Sequence, residues 1–117
     1  MTPPSKINLN KAKTVLPITF DDVDYDLSAE FLRVYSPSAE VVGHGPGQET
    51  LQVDKENVTI TNIQPTGNYA VVLFFSDGHD TGIYSWSHLY NLSVNQDILW
   101  SEYLKKLKAA GYSHTKL

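Results

Sequence analysis

Four histidines, His44, His79, His88 and His114, are the side chains of this 117-residue chain that titrate near neutral pH. The chain has no cysteine, so thiolate catalysis, disulfides and Cys-ligated zinc or iron–sulfur sites are excluded. His79 stands in FFSDGHDTGIYSW, residues 74–86, between Asp77-Gly78 and Asp80. A carboxylate beside an imidazole can fix its tautomer, which both metal ligation and acid–base catalysis exploit. Asp-Gly between two β-like runs is also a strong hairpin signal, and neighbours on a strand point to opposite faces. The turn is the preferred reading. His44 lies in GHGPGQ, where flanking glycines permit close backbone approach and an anion-binding nest. No Lys-Ser/Thr pair or helix follows as a phosphate loop requires, so an ordered loop is expected. His88, in SWSHLY, is read as a surface or half-buried structural residue, and His114 belongs to the tail. The chain lacks a nucleophile elbow, GxGxxG, HExxH and any His-x-Asp/Glu step. The expectation is that it is not an enzyme.

The elements that must position these residues are legible as periodicities. KINLN and LPITF alternate apolar and polar residues, the mark of half-buried strands. Asp21-Asp22 reads as a turn into a partner strand carrying Val23, Tyr25 and Leu27. Ser28 caps a short helix, SAEFLRVY, which Pro37 ends. Residues 36–52 read as loop. NVTITNI is a strand, QPTGN a turn, and YAVVLFF a run apolar enough for the sheet centre. Ser85 caps a second short helix with Trp86, Leu89 and Tyr90. The last helix has Ser93 and Gln96 as a capping box, a stripe of Leu99, Trp100, Tyr103, Leu104 and Leu107, and Gly111 as its stop. The sum is an α+β single domain: an antiparallel or mixed sheet of about five strands, a C-terminal helix and two short helices. Residues 1–5 form a flexible lead, 6–111 the domain and 112–117 a flexible tail.

Thirteen acidic side chains against nine basic ones give a net charge of −4. Lys105, Lys106 and Lys108 are the only basic cluster, and they sit where they complement a helix C-terminus. No nucleic-acid partner is expected. Neither a signal peptide nor a membrane span is apparent, so the expected location is cytoplasmic.

The stretch LRVYSPSAEVVGHGPGQ, followed by GNYAVVLFFSDGHDTGIYSWSHLYNL, resembles the small stand-alone bacterial members of the γ-butyrobetaine hydroxylase-like N-terminal domain family. The likeness runs from about Lys6 to Gly111. In that family the domain also precedes the catalytic domain of γ-butyrobetaine and trimethyllysine dioxygenases, and is fused to Mrp-type iron–sulfur carrier ATPases. The resemblance implies a non-catalytic binding or accessory module. Its partner would be an iron–sulfur carrier or a metabolic enzyme, docked through Gly43, His44, Gly45, Gly47, Tyr84, Trp86 and Tyr90. The dioxygenase version binds a structural zinc through three cysteines after the LR helix and one histidine in a DGH-like turn. His79 matches that histidine, whereas the segment from Ser36 to His44 holds no cysteine. The alternative is a zinc or iron site made by His44 and His79 with Asp80 or Glu40.

Overall fold

The computed structural model describes residues 2–43 and 47–114. His44 and Gly45 of the expected sites, and residues 115–117 of the tail, lie outside the described residues. The chain runs β1 (Lys6–Ile7), β2 (Val15–Phe20), β3 (Val23–Ser28), α1 (Ala29–Val34), α2 (Ala39–Val42), β4 (Ile60–Thr66), β5 (Ala70–Phe75), β6 (Ile83–Ser85), α3 (Trp86–Val94) and α4 (Gln96–Ala109).

The α+β class holds, but one sheet of about five strands is replaced by two three-stranded antiparallel sheets, β1-β2-β3 and β4-β5-β6. Strand periodicity gives strands, not which of them pair, and the division follows from the long excursion between α1 and β4. The Asp21-Asp22 turn forms with both residues at positive φ, 49° and 64°. That geometry matches the right-handed twist of the flanking strands, and short acidic side chains tolerate it. Pro65 sits in β4, an edge strand, where its missing N–H is tolerated. β5 is the central strand of its sheet; Ala70, Val71, Leu73 and Phe75 are buried, while Val72 and Phe74 are half-buried.

Both sheets, α1 and α3 share one core that includes Leu16, Ile18, Leu27, Phe31, Leu32, Ile60, Leu73, Tyr84 and Leu89. A smaller cluster beside it joins Val34 of α1 to Tyr103 and Leu107 of α4, with Leu51 and Val53 half-buried against it. Three local expectations change. Residues 39–42 are a helical turn within the expected loop, capped by the Ser38 side chain. The Ser93–Gln96 capping box does not form: Ser93 lies inside α3 and donates to Leu89 O at 2.7 Å, and α4 starts after Asn95 without a side-chain cap. Burial of Leu89 and Leu92 extends α3 through Ser93, so tertiary packing overrides the local cap signal. The tail folds back rather than fraying at once, because His114 is buried against Glu30 and the Trp100 ring. Gly111 stops α4 as expected: at φ 87° it closes a Schellman motif, with Gly111 N–H on Lys108 O at 3.0 Å and Tyr112 N–H on Leu107 O at 2.9 Å.

Candidate functional site

The 74–86 stretch is a hairpin turn and also the place where a histidine is buried. Phe75 O accepts from Gly78 N–H at 3.0 Å, and His79 O accepts from Phe75 N–H at 3.0 Å. Gly78 takes the left-handed φ of 88° that the return requires. The turn thereby sends the His79 side chain inward, where it is only 2% exposed.

Its partners come from the α1–α2 connection. Pro37 prevents α1 from continuing, and Ser38 takes an extended conformation as the N-cap of α2, its Oγ accepting from Glu40 N–H. This corner places Ser36, Ser38 and Glu40 on the turn. His79 Nδ1 lies 3.2 Å from Glu40 Oε2, and Nε2 lies 2.8 Å from Ser36 Oγ. With Nδ1–H donating to the carboxylate, Nε2 accepts from the Ser36 hydroxyl. Ser36 Oγ accepts in turn from Ser38 N–H at 3.2 Å. Thr81 Oγ1 donates to Glu40 Oε1 at 3.3 Å and pairs with Ser38 Oγ at 2.7 Å. Gly82 is the close approach that permits this: a Cβ there would lie 2.5 Å from Ser36 Oγ and 3.1 Å from the Tyr84 ring.

A charged layer adjoins the cluster. Asp77 Oδ2 accepts from Arg33 Nε at 2.9 Å and from Lys55 Nζ at 2.7 Å, and Oδ1 accepts from His79 N–H at 3.2 Å. Arg33 also donates from Nη1 to Gln52 Oε1 at 3.0 Å. Burial alone would raise the Asp77 carboxyl, but the hydrogen bonds from Lys55, His79 and Arg33, with the Arg33 charge, hold it at about 2. His79 is pushed below its ordinary value by burial first and by the Arg33 charge next, against the opposing pull of Glu40. It is therefore a neutral, hydrogen-bonded imidazole at neutral pH.

Ser36, His79 and Glu40 form a hydroxyl–imidazole–carboxylate row, the order that activates a nucleophile when substrate can reach the hydroxyl. Ser36 is 0% exposed, so nothing can reach it in this conformation. Of the expected metal residues, Glu40 and His79 meet, while His44 lies outside the described residues. Both ring nitrogens of His79 are engaged, by the Glu40 carboxylate and the Ser36 hydroxyl, and exposed Asp80 makes no hydrogen bond or ion pair among the described residues. Among the described residues no group of three His, Cys, Asp or Glu side chains is gathered that could hold an ion.

The expected docking residues separate. Gly43 is half-exposed with φ 74°, and Gly47 is exposed. Tyr84 is 0% exposed, with its hydroxyl donating to Leu32 O at 2.6 Å. It is core, not interface, because its register on β6 turns it inward. Trp86 and Tyr90 are half-buried; Trp86 Nε1 donates to Asn68 O at 2.8 Å, and Tyr90 meets Phe20 edge-on. His88 is half-buried, its Nε2 donating to Tyr35 O at 3.0 Å. Sequence reasoning missed Ser36 and Ser38, for which the capping pattern SPSAE was the available signal, and Thr81, which no local pattern marks. It also missed the Arg33–Asp77–Lys55 contacts, which span 44 and 22 positions and leave no local trace.

These features define a class: a small two-sheet α+β domain whose α1–α2 corner is clasped to a β-hairpin turn through a buried histidine. Residues 7–90 match the family described as "Gamma-butyrobetaine hydroxylase-like, N-terminal", and the chain belongs to that family. It is similar to a protein solved by NMR in solution that is 49% identical, with a TM-score of 0.85 over 97% of this chain and 90% of the other. A second NMR solution structure is 50% identical, with a TM-score of 0.80 over 97% of this chain and 86% of the other. A crystal structure from Acidithiobacillus ferrooxidans, of a protein of unknown function in the DUF971 family, is 36% identical over 77% of this chain and 91% of the other, with a TM-score of 0.61. No curated protein matches.

Proposed function

We propose that this chain is a non-catalytic binding or accessory module, with the His79 cluster as an internal clasp. The observation that carries the reading is closure. The Ser36–His79–Glu40 hydroxyl–imidazole–carboxylate row ends on a serine with 0% exposure, and every buried side-chain polar atom described has a partner. Such a cluster fixes conformation, and it keeps its hydroxyl and imidazole from a substrate while leaving Glu40 exposed at its edge. The partner class proposed is an iron–sulfur carrier or a metabolic enzyme, met in the cytoplasm, in keeping with membership of this family. No helix among the described residues is long and apolar enough to cross a membrane, and net charge −4 disfavours nucleic acid. The favoured docking face includes Gly43, Gly47 and the neighbouring Val42, a large apolar side chain left 45% exposed.

Calorimetric titration of the chain into the Mrp-type ATPase and the oxygenase of the source organism tests the reading. Micromolar binding, about 8 kcal/mol, weakened at least tenfold by Val42→Glu, supports it. Absence of binding to both removes this partner class, and binding indifferent to Val42→Glu removes this face. Zinc and ferrous iron titrations followed by the His79 ring resonances test the alternative. The clasp reading expects no response at sub-millimolar metal.

A further inference from the structure

We infer that the outer edge of β4 is built to refuse pairing with the β4 of a second copy of this chain. No charged residue occurs in β4, β5 or β6. Val72, Phe74 and Ile83, the last 50% exposed, lie on the face of this sheet turned from the core, since Val71, Leu73 and Phe75 fill the other. Uncharged strands with an open edge invite pairing between molecules. The first sheet guards its edge with charge, because β3 carries Asp24 and Asp26 at exposed positions. The second sheet has no such carboxylates, and its guard lies in the backbone donors.

Strand pairing fixes which donors face outward. Phe75 N–H turns away from β4, to His79 O at 3.0 Å. Alternation along the strand then aims the N–H groups of Phe74, Val72 and Ala70 at β4. Their opposite residues are Asn62, Gln64 and Thr66, so Ile63 and Pro65 turn their backbone groups outward, as Ile60 does opposite Phe75. Each of these outward positions has lost its donor. Ile60 N–H donates to Lys13 O at 2.9 Å. Ile63 N–H donates to Asn62 Oδ1 at 2.9 Å. Pro65 has no N–H. The register shift between Ile60 and Asn62 also bends the strand there. The carbonyls of Ile63 and Pro65 are left, and a second β4 edge would present the same acceptors. A two-fold β4–β4 contact therefore gains no backbone ladder, because neither strand has an outward donor to give.

Asn62→Ala combined with Pro65→Val tests this on the full chain, since both positions are exposed and the pair restores two outward donors. Sedimentation velocity from micromolar to millimolar concentration should find the mass of the parent chain constant. The double variant should approach about twice that mass, with NMR line broadening concentrated on residues 61–66. Amide exchange in Asn62→Ala alone needs no association, which keeps the test open if the double variant does not fold. There the Ile63 N–H should exchange about fivefold faster once its side-chain acceptor is gone, while the Gln64 N–H, directed at β5, keeps its parent rate. A parent chain that associates through residues 61–66, a folded double variant that stays monomeric at millimolar concentration, or an Ile63 amide indifferent to Asn62→Ala overturns the inference. No partner protein enters these measurements, so they can fail without bearing on the accessory reading, and the reverse holds.

Discussion

Replacing Asp77 with alanine should be the most informative single change in this domain. Asp77 holds three donors at once: the Arg33 guanidinium, the Lys55 ammonium and the His79 amide. Removing one member of a buried charge pair costs about 3–5 kcal/mol, because the other charge is left desolvated. Here Arg33 is 8% exposed, Asp77 25% and Lys55 20%, and Arg33 keeps its bond to Gln52. The cost should therefore fall to about 2–3 kcal/mol. The carboxyl itself bounds the pH-dependent part of that cost. A pKa held at about 2 rather than 3.8 corresponds to at most about 2.5 kcal/mol, and to about 1–2 kcal/mol once solvent screening is counted. A carboxyl depressed in the folded state contributes fully above its unfolded pKa, and that contribution is lost as pH falls through the folded value. The deficit of Asp77→Ala should thus be full at pH 7 and above about pH 4, and shrink as pH drops towards 2. Urea unfolding of both proteins across this range measures it. A deficit below about 0.5 kcal/mol at pH 7, the size of an ordinary surface substitution, would refute the argument. A deficit that stays constant from pH 4 to 2 would refute its electrostatic part.

Three further outcomes follow from the same contacts. Gly82→Ala places a Cβ 2.5 Å from Ser36 Oγ, which must swing off His79; a loss of about 2–3 kcal/mol in thermal or urea unfolding is expected, and an unchanged midpoint would contradict the close approach. His79 and His88 are both lowered by burial, so their neutral forms stabilise the fold above the ordinary value of 6.5. Stability should decline as pH falls from about 7 to 5, and His79→Phe with His88→Phe, if folded, should flatten that slope. His114→Ala removes a 2.7 Å contact to buried Glu30, and a loss of about 1–3 kcal/mol is expected; amide exchange at residues 112–114 as slow as in the parent would show that the contact does not hold the tail.

The clasp marks the limit of what could be read ahead. Ser28 as a cap, Asp21-Asp22 as a turn and Gly111 as a stop were legible because each acts within four or five residues along the chain. The Asp77-Gly78 turn was legible for the same reason. The burial of His79 was not, since it depends on Ser36, 43 positions away, and on the α1–α2 corner that brings Ser36 there. Ser93 failed in the opposite direction. A sound local capping signal lost to the packing of Leu89 and Leu92, which carries α3 one residue past it. Tyr84 looked like an interface aromatic because composition cannot say which face of a three-residue strand meets the core.

By itself, the sequence determined the kind of chemistry available and the order of the elements. Lack of cysteine removed thiolate ligands, and period-2 and period-3.6 patterns set strands and helices, because these are properties of neighbouring residues. The tertiary structure alone decided that two sheets form rather than one, and that His79 is a neutral, clasped imidazole. Each of these depends on which distant segments exclude water from one another, and local spacing carries no record of that.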